Sequence, residues 1–101
     1  MSIQPFAPYA AATANITVSG SSQRVLLGTS VPAIRIMNNG SGTVWVNFGD
    51  VTVTATTGTG MPVGPGVTEV IKYEGNGSAV YAAAVAADAT GIIYFTPGLG
   101  L

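Results

Sequence analysis

Apolar and polar residues alternate with a period of two along most of this chain, in short runs cut by glycine-rich turns. That period marks half-buried β-strands. The first runs are residues 15–18, 23–27 and 33–37, separated by Gly20-Ser21-Ser22 and by the segment from Gly28 to Pro32. In the third, Ile34 and Ile36 share one face and Arg35 and Met37 the other. Asn38-Asn39-Gly40-Ser41-Gly42 follows as the strongest turn signal in the chain, because an Asn-Gly pair tolerates the positive φ of primed hairpin turns. Residues 43–48 then alternate again, with Val44, Val46 and Phe48 against Thr43, Trp45 and Asn47. The pattern predicts a β-hairpin over residues 33–48.

Residues 51–56 read as another strand, with Val51, Val53 and Ala55 against Thr52, Thr54 and Thr56. Residues 57–66 hold four glycines and two prolines, and Pro62 and Pro65 cannot donate to a ladder, so a loop is expected. Residues 67–73 form a strand, Gly75-Asn76-Gly77 centres a second tight turn, and 78–85 and 91–96 are the last two strands, flanking a turn or single helical turn at 86–90. Alanine favours a rival helix over 79–89, but Val80, Tyr81 and Val85 and the flanking glycines favour a strand. The expectation is an all-β fold, a small β-sandwich or barrel of about eight short antiparallel strands.

The first fourteen residues break the pattern. Ile3, Phe6 and Tyr9 are apolar, and Pro5 and Pro8 stiffen the backbone toward an extended form. Residues 1–14 read as an N-terminal arm and residues 15–101 as a single β domain. The arm is either a disordered terminus or a strip that lays Ile3, Phe6 and Tyr9 onto a neighbour, and disorder favours charged segments over aromatic ones. It contains no turn that would pair it with the next strand, so the fold is expected to survive its removal.

Charge sharpens this picture. Only Arg24, Arg35, Lys72, Asp50, Glu69, Glu74 and Asp88 are charged among 101 residues, and the net charge is −1. A folded chain of this mass exposes roughly 5,300 Å², so each charge serves roughly 750 Å². A surface that sparse is better suited to facing protein than water, which suggests an assembly component. No apolar run reaches the ~18 residues of a membrane span, no basic patch offers a nucleic-acid footprint, and residues 1–13 lack the basic start of a signal peptide.

Candidate chemistry is thin. The absence of histidine and cysteine removes imidazole acid–base catalysis, thiol nucleophiles and nitrogen–sulfur zinc sites. Nothing in the sequence brings two of the four acids together for glycoside hydrolysis. Asp50 and Asp88 lack calcium-loop spacing. Neither Gly58-Thr59-Gly60 nor Gly64-Pro65-Gly66 carries the lysine or following helix of a phosphate loop. No enzyme activity, cofactor or metal is therefore expected. Arg24 and Arg35 lie within strands and suit one ion pair each, across strands or between subunits. Trp45 sits opposite the Val44 face, as a core residue, an interface residue or a sugar-stacking one.

Several segments together resemble a group of small structural proteins of tailed bacteriophages. They are Arg35-Ile36-Met37-Asn38-Asn39-Gly40, Val44-Trp45-Val46-Asn47-Phe48-Gly49, Thr54-Ala55-Thr56, Met61-Pro62-Val63, Glu69, and the ending Tyr94-Phe95-Thr96-Pro97-Gly98-Leu99-Gly100-Leu101. The resemblance implies a virion protein, most like a head decoration or cement protein on the outer capsid surface. Its implied partners are the major capsid protein and further copies of itself, as a homotrimer, with no nucleic acid and no membrane. The interface residues it would use are Ile3, Phe6, Tyr9, Trp45 and Tyr94. A tail, collar or fibre module binding host carbohydrate or another virion protein is the alternative, with Trp45, Tyr73, Tyr81 or Tyr94 as stacking residues.

Overall fold

Nine β-strands, all paired antiparallel, make two sheets in the computed structural model, which describes residues 7–9, 12–29, 31–73, 79–86 and 90–99. Expectations for Ile3, Phe6, the turn at 74–78 and the segment 87–89 lie outside those residues. The strands are β1 (Ala7–Pro8), β2 (Ala14–Thr17), β3 (Gln23–Gly28), β4 (Ala33–Gly40), β5 (Val44–Gly49), β6 (Met61–Val63), β7 (Thr68–Lys72), β8 (Val80–Val85) and β9 (Gly91–Leu99). Among the described residues there is no α-helix, and the alanine-rich stretch that could have been one is the strand β8.

The five-stranded sheet runs β1-β9-β4-β7, with β2 pairing the earlier half of β9; the four-stranded sheet runs β3-β8-β5-β6. The alternation decides which side chains face inward. Ile34 and Ile36 from β4, Ile93 and Phe95 from β9 and Val44 and Val46 from β5 meet between the sheets, all essentially inaccessible to water. The small Ala82 and Ala84 of β8 let the sheets approach at the centre of this β-sandwich. Phe48 bridges the sheets at one end, edge-on to Phe95 with ring centroids 5.9 Å apart and tilted against Tyr73 at 6.0 Å.

Residues 33–48 are not a hairpin. β4 pairs with β7 and β9, whereas β5 pairs with β6 and β8, so residues 41–43 arch from one sheet to the other. The reason is Asn38. It continues the inward parity of Ile34 and Ile36 and is the buried polar residue of the interior, 0% exposed. Its Nδ2 donates to the Gly42 carbonyl across the arch and to the Val63 carbonyl of β6, each at 2.9 Å; its Oδ1 accepts the Gly40 N–H at 2.9 Å. Its own backbone bonds Val67 and Gly66. One side chain thus ties the five-stranded sheet to the edge of the four-stranded one, and no buried side-chain polar atom among the described residues lacks a partner.

The Asn-Gly pair serves packing rather than a primed turn. Gly40 lies opposite Gly91 in the β4–β9 ladder. Gly91 has φ +128°, and a Cβ there would stand 2.5 Å from the Gly40 Cα. The two strands meet at that point because neither residue has a side chain.

Two further expectations change. Residues 61–63, expected within a loop, form the edge strand β6 on β5, where Pro62 is tolerated because an edge strand need not donate outward. Residues 51–56 are not a strand. A turn closed by the Val53 N–H on the Asp50 carbonyl (3.0 Å) leads into an irregular strap over the outer face of the four-stranded sheet. Its alternation is real: Val53 and Ala55 pack onto Trp45, Ala83 and Val85, while Thr54 and Thr56 face water. Side chains replace ladder partners, with Asn47 Nδ2 on the Thr54 carbonyl (3.2 Å), Ser22 Oγ taking the Ala55 N–H (2.9 Å) and Arg24 reaching the Val53 carbonyl (3.4 Å).

Candidate functional site

The strap covers the outer face of one sheet; on the other, no described segment covers the outer face where β4 and β9 run side by side. The register sets Arg35 beside Thr96, Met37 beside Tyr94 and Asn39 beside Ile92. Because Ile34, Ile36 and Asn38 face inward, Arg35, Met37 and Asn39 face outward by the period of two. Arg35, Met37, Asn39, Tyr94 and Thr96, together with Thr13 before β2, line an open hollow of about 410 Å³ in which Met37 and Tyr94 lie side by side. Met37 is 38% exposed, high for a large apolar side chain in a central strand. Thr13 and Thr96 share a hydroxyl hydrogen bond of 3.0 Å at one rim.

The electrostatics are simple. Arg35 has no hydrogen bond or ion pair among the described residues, and its ladder neighbours are Val70 and Thr96. Among the described residues neither Arg24 nor Arg35 makes an ion pair across strands, the first of the two alternatives expected for them. Lys72, opposite Ala33, shares the Arg35 side of the sheet by register. Glu69 lies opposite Ile36, on the other parity. Arg35 is thus the one charged side chain lining the hollow.

The described interface candidates, Tyr9, Trp45 and Tyr94, lie apart. Tyr94 is in the hollow. Tyr9 lies at the far end of β9, 40% exposed, its N–H on the Pro97 carbonyl at 2.8 Å. Trp45 is on the opposite side of the sandwich, half-buried beneath the chain's own strap. Tyr73 packs on the core and Tyr81 lies on the outer face of the four-stranded sheet. Arg35, Met37, Asn39 and Thr96 were not singled out as a group. The outward parity of Arg35 and Met37 was readable, but only the β4–β9 pairing, across more than fifty residues, brings Tyr94 and Thr96 beside them.

One acid is tuned. Asp50 Oδ1 accepts the Thr52 hydroxyl at 2.5 Å and the Thr52 N–H at 2.8 Å. The hydroxyl and then the backbone bond hold its carboxyl below the usual range, with Arg24 adding a smaller attraction. No group of three metal-ligating side chains occurs among the described residues. The hollow offers an aromatic face, hydroxyls, an amide and a guanidinium, which are means of binding. Comparisons of the chain with protein-family models, with curated proteins and with solved structures find no match.

Proposed function

We propose that this protein is a structural component of a bacteriophage virion, a head decoration protein that self-associates and seals junctions between major capsid subunits. The β4–β9 face, which no described segment covers, carries the reading: Tyr94, Met37 and Ile92 remain partly open to water in a chain with seven charges. An exposed methionine beside a half-buried tyrosine and isoleucine on one sheet face is the kind of surface that protein contact covers. The phage-like segments of the sequence support the same reading, and two of them, at 35–40 and 94–101, include most of the residues lining the hollow.

A second reading has one observation in its favour. Tyr94, with Asn39, Arg35 and the Thr13–Thr96 hydroxyls around it, is also suited to stacking a sugar ring, as a tail or fibre module would. An electron cryo-microscopy map of the particle, with copies counted, separates the two. Hundreds of copies on the head are expected; tens or fewer at the tail would favour the second reading, and no copies would refute both.

A further inference from the structure

We propose that copies of this protein associate head to tail, the β4–β9 hollow of one copy receiving the turn at residues 50–53 of the next. The inference rests on the self-association proposed above and names the two surfaces that make it.

Charge excludes the simplest alternative. Pairing the hollow with itself about a two-fold axis would set Arg35, the one charged side chain lining it, against Arg35. The occupant must bring a carboxylate together with an apolar group to cover Met37 and Tyr94. The turn at 50–53 brings both. Val51, at 55%, is the most exposed large apolar side chain among the described residues, and Asp50 is its neighbour. The turn is built to project: the Asp50 carbonyl takes the Val53 N–H, and both Thr52 bonds fall on Asp50 Oδ1, leaving Oδ2 for another donor. A preformed tip loses little freedom on docking.

The two surfaces cannot meet within one copy. The turn follows β5 in the four-stranded sheet, and the hollow lies on the outer face of the five-stranded sheet. The contact is therefore heterologous, and it makes a closed ring when its rotation closes. Val51 covers Met37 and Tyr94 while Asp50 pairs with Arg35.

Sedimentation of the full chain and its variants tests this. The wild type is expected to form a closed oligomer. Arg35→Glu and Asp50→Arg should each weaken association by at least about tenfold, as removal of a partner from an interfacial charge pair does. The double variant, which re-creates the pair in reverse, should recover most of it. Val51→Ser should weaken association without changing charge. Circular dichroism checks the fold, and should Arg35→Glu fail to fold, the two variants on the exposed turn give the same readout. A wild type that stays monomeric up to about 1 mM overturns the contact, while the virion reading stands or falls separately on copy number. An oligomer indifferent to all the variants overturns the contact and leaves self-association intact.

Discussion

Replacing Asn38 by alanine removes three hydrogen bonds at once, and the structure says what each was holding. The bond to the Val63 carbonyl is buried; those to the Gly42 carbonyl and from the Gly40 N–H are partly so. At about 1–1.5 kcal/mol for each partner stranded away from water, the loss is roughly 3–4.5 kcal/mol. A domain of 101 residues has about 5–15 kcal/mol in all. Urea unfolding followed by circular dichroism should show the midpoint fall with little change in slope, and the melting temperature drop by at least about 12 °C. Asn39→Ala, one residue along and exposed, is the control and should stay within about 0.5 kcal/mol. Asn38→Asp is the sharper case. It keeps the acceptor for Gly40 but turns an oxygen toward two carbonyls. Burial raises such a carboxyl's pKa above its unfolded value, so this variant should lose stability as pH rises, most of it by neutral pH. An Asn38→Ala loss below about 1 kcal/mol would refute the clamp.

Gly91→Ala should destabilise by more than about 2 kcal/mol, since its Cβ meets the Gly40 backbone at 2.5 Å and its φ of +128° is strained for any side chain; Gly20→Ala, with open space around it, should not, and thermal melts compare them. Asp50→Asn should flatten the acid limb of a stability-versus-pH curve. The folded carboxyl titrates below its unfolded value of 3.8, so its contribution is present above that pH and lost as the pH falls through the folded pKa; Arg24 is the one described charge acting on it. Deleting residues 1–13 should leave a folded domain by circular dichroism, at the cost of the β1 pairing and the bonds at Tyr9 and Thr13, and should lower occupancy on particles.

The class of fold was readable because period-two alternation is a local property, and it survived even where the element did not. Val53 and Ala55 face inward from the strap as they would from a strand, but their backbone partners are the side chains of Asn47 and Ser22. Alternation does not record what a backbone bonds to. The false hairpin has the same origin, since two alternating runs around Asn-Gly look alike whether the chain turns within a sheet or arches between sheets. The clue was Asn38 itself, a polar residue on the parity of Ile34 and Ile36. The hollow was half legible: Arg35 and Met37 were placed together, but their neighbours Tyr94 and Thr96 come from a strand whose partner no local pattern identifies. Trp45 was ambiguous for a physical reason, because its face is sealed by a segment that sequence reads as a strand in its own right.

The position of β9 has a consequence for how the chain is made. It follows every other described strand in sequence, yet it lies between β4 and the pair formed by β1 and β2. On a ribosome, the first strands of the five-stranded sheet emerge with nothing to bind, and β4 can recruit only β7 until synthesis reaches Leu99. Completion of the five-stranded sheet therefore waits on pairings distant in sequence, and folding is slow for the chain's size. A chain that lacks β9 leaves β2, with Ile16, without its ladder partner and opens one edge of β4. Without β9 the outer β4–β9 face does not exist, so that surface and the sheet that carries it are completed in one step.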